Sequence, residues 1–110
     1  MSSVLPTWDG KWNTTLFQYD GSVLEGTDIH YGLNFLNKNT VKSEHYKKLL
    51  NHFKGQTVSF GGIRDLEKRP IGSLGEWLRD NVTKTEIASY VAPILVHEGY
   101  CTRVGNKIKF

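Results

Sequence analysis

Two helix-start signals lie close together in the second half of the chain, SLGE beginning at Ser73 and TKTE beginning at Thr83. Each is a capping box, in which the first hydroxyl accepts a backbone N–H three residues on. The glutamate at the fourth position reaches back to the N–H of the cap residue. Because one helix must end before the next begins, the two signals predict a tight turn at about Asp80 to Thr83.

The second signal opens the longer of the two predicted helices. Apolar residues at helical spacing define its buried face: Ile87, Val91, Ile94 and Leu95. The pattern predicts a helix from about Lys84 to about Glu98, with Gly99 placed to end it. Pro93 lies inside this span and lacks a backbone N–H, so we expect a kink or a break there.

Strand and helix patterns surround this pair of helices. The chain ends in YCTRVGNKIKF, two short alternating segments that predict a hairpin with a basic turn. Upstream, SEHYKKLLNHFKG places its apolar side chains on one helical face, with Ser43 as a cap and Gly55 after its end. The short β-branched stretch QTVSFGG predicts a brief strand between the helices.

The first part of the chain is rich in aromatic and β-branched residues broken by glycine. The segments WNTTLFQY and SVLEGTDIHYG flank Asp20-Gly21, a pair that is typical of a tight hairpin turn. This predicts strands near Trp12 to Tyr19 and Ser22 to Thr27. The stretch DIHYGLNFL is compatible with a strand or a short helix, and its periodicity does not decide between them.

Composition limits the classes of protein to consider. A chain of 110 residues, 38% hydrophobic and 23% charged, predicts one folded domain, in which residues 1–42 extend a core of residues 43–110. Cys101 is the sole cysteine, which fits a reducing compartment and a small buried core residue. With no apolar run of membrane-spanning length and no charged-then-apolar leader, we expect no membrane partner and a cytoplasmic location.

From Ser43 the predicted order is helix, strand, capped helix, turn, longer helix and basic hairpin. This resembles the winged-helix superfamily, an α+β fold, over residues 43–110, carried by SLGEWLRDNVTKTEIASYVAPILVHEGYCTRVGNKIKF. Residues 1–42 would add a β-hairpin extension. The resemblance implies binding of duplex DNA, with the helix from about Lys84 entering the major groove and the final hairpin serving as the wing.

The resemblance also implies which side chains meet the nucleic acid. They are the polar residues on the outward face of the longer helix and the basic residues of the wing: Lys84, Thr85, Ser89, Arg103, Lys107 and Lys109. Lys84 would contact phosphate or guanine, and Thr85 and Ser89 would hydrogen-bond to phosphate or a base edge. The formal charge of +3 permits a polyanionic partner without requiring one.

A non-catalytic interaction or dimerisation module is the alternative function. The longer helix carries little positive charge and contains Pro93, and exposed Tyr90 and Val96 would favour a protein partner or a homodimer. The aromatic residues near the N-terminus suit either core packing or a stacking platform for single strands: Trp8, Trp12, Phe17, Tyr19, Tyr31 and Phe35.

Catalytic and metal-binding classes find little support in the residue patterns. No two of the four histidines form a close i, i+4 pair, and His45 with His52 lacks a neighbouring cysteine or acidic third ligand, which predicts no metal site. No nucleophile elbow, phosphate loop or zinc-hydrolase motif occurs, so we expect no enzyme and no cofactor. The polar stretch Glu67–Pro70, with Arg64 upstream, is interpreted as a solvated connector rather than a second basic patch.

Overall fold

The computed structural model of the chain describes residues 2–8, 15–61 and 71–110. Within these ranges the fold is α+β, with three α-helices and two antiparallel sheets. The order of elements from Ser43 is helix, strand, helix, helix and hairpin, as the sequence predicts. None of the helices in the described ranges is long and apolar enough to cross a membrane. The connector around Arg64 and Glu67–Pro70 lies outside the described residues.

The first sheet contains four strands in sequential order, so the predicted hairpin is part of a larger sheet. The strands are β1 (Ser2–Pro6), β2 (Leu16–Ser22), β3 (Gly26–Tyr31) and β4 (Asn37–Lys42). Side chains alternate between its faces, and the inner face buries Phe17, Tyr19 and Ile29. The predicted start of a strand at residues 12–14 falls outside the described residues.

The β2–β3 turn lies further along the chain than the sequence predicts. Asp20 and Gly21 belong to β2 and pair with Asp28 and Thr27, while the chain reverses at residues 23–25. Gly21 has a positive φ of 89°, which glycine adopts without steric cost, and this conformation is accommodated inside the strand. The hydroxyl of Ser22 accepts the Glu25 N–H at 3.1 Å and helps to close the longer turn.

The segment DIHYGLNFL contains both of the structures that the sequence left open. Its first part completes β3, and Leu33–Phe35 form a short 3-10 helix before β4. Gly32, Asn34 and Phe35 all have positive φ values, of 77°, 55° and 56°. The connection is therefore a tightly wound left-handed segment rather than a regular helix or strand.

The predicted first helix is α1 (Ser43–Phe53), and its apolar face is buried through Tyr46, Leu49 and Phe53. Gly55 follows it at φ 75°, as expected for a helix end. Ser43 is the first helical residue rather than the cap. At the helix start the Lys42 N–H instead donates a hydrogen bond to His45 Nδ1, at 3.2 Å.

The second sheet joins two parts of the chain that are far apart in sequence. It consists of β5 (Thr57–Ser59), β6 (Thr102–Val104) and β7 (Lys107–Lys109), in the order β5-β7-β6. Both the predicted strand and the predicted hairpin are therefore present, with Gly105 at a positive φ of 62° in the turn. Ile108 of the central strand is fully buried.

The helix α2 (Leu74–Asn81) begins with half of the predicted capping box. Ser73 Oγ accepts the Glu76 N–H at 3.1 Å. The Glu76 carboxylate reaches past the cap residue and accepts the N–H of Gly72 at 3.0 Å. Both acceptors still satisfy backbone donors at the helix start, which is the physical purpose of the motif.

The helix α3 (Ala88–His97) begins later than predicted, and the box at Thr83 does not cap it. Thr83 Oγ1 accepts the Thr85 N–H, at 3.3 Å, in the connection after α2. The capping acceptor is Glu86, whose Oε1 accepts the Ser89 N–H at 3.0 Å. A carboxylate at this end is also favoured by the helix dipole. Lys84 and Thr85 therefore precede the helix.

Pro93 does not break α3, which runs without interruption to His97. A proline leaves the carbonyl four residues earlier without its helical partner, and here that carbonyl belongs to Ser89. The N–H of Trp8 donates to the Ser89 carbonyl at 3.0 Å. A main-chain hydrogen bond from the N-terminal segment thus replaces the missing helical one.

The end of α3 is attached to the first sheet by the carboxylate of Glu98. Its Oε2 accepts the Tyr19 hydroxyl at 2.7 Å, and its Oε1 accepts the Val23 N–H at 2.9 Å. Burial, together with this carboxylate, raises the pKa of Tyr19, so the phenol remains a donor. Because Tyr19 and Val23 are both buried, Glu98 satisfies donors that water does not reach.

Replacing Glu98 with alanine should destabilise the fold, because the Val23 N–H and the Tyr19 hydroxyl would lose their acceptor. We expect a loss of about 2–6 kcal/mol in the free energy of unfolding, from about 1–3 kcal/mol for each of the two orphaned buried groups. Urea unfolding followed by circular dichroism would measure it. Glu98→Gln, which keeps an acceptor oxygen, should lose less. Equal midpoints for Glu98→Ala and the unchanged chain would contradict the assignment.

Candidate functional site

The helix expected to enter the major groove lies in the interior of the protein. Ser89, predicted to lie on the outward face, is 4% exposed, and its helical neighbours Ala88 and Ala92 are 1% and 0% exposed. The aromatic ring of Tyr90 packs on Phe17 and Tyr31 of the first sheet, with ring centroids 5.2 and 4.9 Å apart. The face of α3 that was expected to meet DNA is therefore buried, and the helix also packs against the first sheet through Tyr90.

Ser89 is fully engaged within the protein. Its hydroxyl donates to Glu86 Oε2 at 3.1 Å, its N–H donates to Glu86 Oε1, and its carbonyl accepts the Trp8 N–H. Its predicted contact with nucleic acid is incompatible with this position. Ser89 was predicted to face outward because it lies away from the apolar face defined by Ile87 and Val91, but both of these faces of the helix are buried. A helix that is apolar around its whole circumference, as ASYVAPILV is, indicates burial.

Lys84 and Thr85 are exposed on the connection between α2 and α3. Thr85 lines a depression of about 250 Å³ together with Glu86 and the stacked rings of Tyr31 and Tyr90. These two predicted site residues are accessible, but they do not lie on a helix that projects from the surface.

The basic residues of the final hairpin point to opposite faces of the second sheet. Arg103 pairs with the buried Ile108 and shares its side of the sheet, whereas Lys107 and Lys109 alternate to the other side. The Arg103 guanidinium carbon lies 4.3 Å from the Trp8 ring centroid, and its Nε donates to the Gly105 carbonyl at 2.9 Å. The structure thus brings Lys107 and Lys109 together and separates Arg103 from them.

The outer face of the second sheet is a small basic surface. Lys107 lies between Ser59 and Val104, and Lys109 lies between Thr57 and Thr102. All six of these residues except Ser59 are exposed, and the three strands contain no carboxylate. We call the surface formed by Lys107 and Lys109 with the neighbouring hydroxyls the basic face.

A pair of exposed leucines marks one end of the first sheet, where β3 turns into β4. Leu33 and Leu36 are 81% and 79% exposed, and we call this pair the leucine tip. The positive φ values at Gly32, Asn34 and Phe35 hold it in shape. In the sequence, GLNFL is compatible with a strand or a short helix, and its periodicity predicts no exposed pair. The available signal for this exposed pair was that the two leucines flank an asparagine and a phenylalanine directly after a glycine.

A groove lies between the first sheet and the final hairpin, with α3 as its floor. Its volume is about 380 Å³, and its walls combine Leu5, Pro6 and Trp8 with Val96 and Arg103. We call it the inter-sheet groove. Sequence reasoning missed it because its walls come from opposite ends of the chain, which no local pattern relates.

Comparisons of the chain with protein-family models, curated protein sequences and solved structures found no match. Function is therefore argued from these surfaces alone.

The titratable side chains form few clusters. In the described part of the chain, no three histidine, cysteine or acidic side chains are grouped so as to hold a metal ion. The imidazole of His30 lies 3.2 Å from the Asp20 carboxylate on the outer face of the first sheet. Cys101 is buried, as the sequence predicts, and burial raises the pKa of its thiol to about 12.

Cys101 should react slowly with thiol reagents in the folded protein. The rise of its pKa from 9.0 to about 12 lowers the thiolate fraction about a thousandfold at neutral pH. Absorbance after addition of an aromatic disulfide reagent at pH 8 should therefore change slowly, and quickly once urea is added. Fast labelling of the native protein would show that the thiol is accessible and contradict this placement.

Proposed function

We propose that the chain is a non-enzymatic interaction module that pairs with a second copy of itself through the leucine tip. The observation that carries the proposal is the near-complete exposure of Leu33 and Leu36 on one short connection. Large apolar groups concentrated on a rigid projection are typical of protein interfaces. A second copy offers the same surface and makes a self-complementary contact around a two-fold axis.

The backbone beneath the tip supports an interaction role. Phe35 is a bulky residue in a left-handed conformation, which costs roughly 1–2 kcal/mol for a residue with a β-carbon. Such local strain persists where the surrounding structure imposes it, and it is common at binding sites. Here it orients two leucines outward instead of letting the connection collapse onto the sheet.

The strength of the contact follows from its size. Full burial of one leucine contributes about 1.5–3 kcal/mol, and association costs at least about 4 kcal/mol in lost freedom of motion. Two leucines from each copy leave a small surplus. The dimer should therefore be weak and should form only at high concentrations of the protein.

A winged-helix-like arrangement of residues 43–110 belongs to the same proposal. Its support is the order of elements from α1 to β7 and the pairing of β5 with the final hairpin. In this arrangement α3 serves as a core helix rather than a reader of base edges. In this proposal the first sheet packs against α3, so the helix is not available to DNA and the remaining surfaces bind protein.

Contact with duplex DNA through the basic face is a second candidate function. The observation that favours it is the pair of lysines on a surface whose three strands carry no carboxylate. Lysine and hydroxyl side chains suit phosphate contacts, which position a protein without reading sequence. Lys84 and Thr85 are also exposed and would add contacts only if the duplex reaches the connection after α2.

Leu33→Ser combined with Leu36→Ser should abolish self-association, because the contact would lose its apolar area. The unchanged chain should sediment as a mixture of monomer and dimer in the high micromolar range, and the double variant as monomer throughout. The loss corresponds to a hundredfold or more in the dimer dissociation constant, at about 1.5–3 kcal/mol per leucine.

Leu24→Ser provides the matched control for sedimentation. Leu24 is 72% exposed but lies in the β2–β3 turn, at the opposite end of the first sheet. This variant should dimerise like the unchanged chain. An unchanged chain that stays monomeric at all concentrations would refute the proposed pairing.

Lys107→Gln combined with Lys109→Gln should weaken binding to a random duplex, and the salt dependence should become shallower. Each phosphate contact removed lowers the slope of log K against log salt by about one. Fluorescence anisotropy at several salt concentrations would measure this. Arg103→Gln, on the other face of the hairpin, should bind as the unchanged chain does. Absence of any duplex binding at low salt would rule out this candidate.

A further inference from the structure

The inter-sheet groove is bordered by two strands that each lie at the edge of a sheet. β1 is the first strand of the order β1-β2-β3-β4, and β6 is the last of the order β5-β7-β6. The ring of Trp8 and the guanidinium of Arg103, 4.3 Å apart, connect the two borders. Pro93 and Val96 of α3 form the floor. The groove therefore lies between the edges of two sheets and is apolar at its base.

The register of β1 leaves main-chain groups available on the edge that faces away from β2, next in sequence to the groove residues Leu5 and Pro6. The Thr7 N–H donates to the Thr15 carbonyl at 3.0 Å, and the β1–β2 pairing continues that register to Leu5 with Phe17. In an antiparallel pair, hydrogen-bonded residues alternate with residues whose N–H and C=O point away. The N–H and C=O of Val4 therefore point away from β2. Pro6 occupies the next such position, where its missing N–H removes no bond to β2.

The charge of the groove is positive. Arg103 uses its Nε for the Gly105 carbonyl, and its terminal nitrogens have no hydrogen-bond partner among the described residues. His97 lines the groove beside it. Among the described residues no carboxylate lines the groove, and the Glu98 carboxylate accepts hydrogen bonds from Tyr19 and Val23. Two parallel N–H groups of a guanidinium match the two oxygens of a carboxylate.

We propose that the inter-sheet groove binds an extended segment of a partner protein that adds as a strand to β1. Main-chain hydrogen bonds to Val4 hold the segment, an apolar side chain covers Pro93 and Val96, and a carboxylate pairs with Arg103. Side chains on the same face of a strand are two positions apart. The segment therefore carries an acidic residue two positions from a leucine, isoleucine, valine or phenylalanine.

The apolar floor and the single guanidinium distinguish this occupant from nucleic acid. A phosphate backbone is held by several cations in series, whereas this groove offers one arginine and one histidine above apolar carbon. The proposal does not depend on the leucine tip, which lies on the connection between β3 and β4.

A phage-displayed library of random octapeptides, selected against the full chain, tests the proposal. Enriched peptides are then synthesised with capped ends and a fluorescent label, and their affinities are measured by polarisation. We expect enrichment of an acidic residue two positions from an apolar one. Arg103→Gln should weaken binding about tenfold or more, whereas Lys107→Gln, which removes the same charge from the opposite face of the hairpin, should leave it unchanged.

Val4→Pro tests the main-chain contact separately. It removes an N–H that faces away from β2, so the β1–β2 ladder and the thermal unfolding midpoint should be retained while peptide binding is lost. The variant that combines Leu33→Ser with Leu36→Ser should bind the peptides as the unchanged chain does, which separates this proposal from self-association. Failure to enrich any peptide would overturn the proposal, as would peptide binding by the Arg103→Gln and Val4→Pro variants that equals binding by the unchanged chain. So would displacement of the peptides by a single-stranded oligonucleotide at physiological salt.

Discussion

The hydrogen bond from the Trp8 N–H to the Ser89 carbonyl is the contact around which the two halves of the protein are arranged. It exists because Pro93 cannot serve that carbonyl, so an uninterrupted helix requires a donor from elsewhere in the chain. Ala88 and Ala92, on either side of Ser89 in the helix, are buried as well. The Glu98 carboxylate secures the other end of the same helix to the same sheet.

Burial of α3 has a direct consequence for function. A helix held between a sheet and the remaining helices presents no side chains to a major groove, whatever its position in the order of elements. The surfaces left for binding are peripheral: the leucine tip, the basic face and the inter-sheet groove. They use different side chains, and Arg103 lies on the opposite face of β6 from the basic face, so each surface can be altered by its own substitutions. This separation is what makes competing assignments distinguishable by single and double substitutions.

Local signals predicted the elements whose stability is local. The apolar face of α1, the glycine after its end and the Ser73 cap depend on residues within a few positions of one another. The final hairpin likewise follows from its own turn residues. Where long-range contacts compete, local signals were wrong. The Val23 N–H donates to Glu98, and the first turn falls after Asp20-Gly21. At the start of α3, Glu86 rather than Thr83 accepts the backbone N–H.

By itself the sequence determined the α+β class, the order of elements from Ser43 and the burial of Cys101, because periodicity, caps and turn residues act over short distances. Only the tertiary structure decided which face of α3 is covered, on which side of the sheet Arg103 lies relative to Lys107, and where a groove opens. Those outcomes depend on strand register and on packing between residues such as Trp8 and Arg103, at opposite ends of the chain. Local sequence patterns do not predict contacts between residues that are so far apart in the chain.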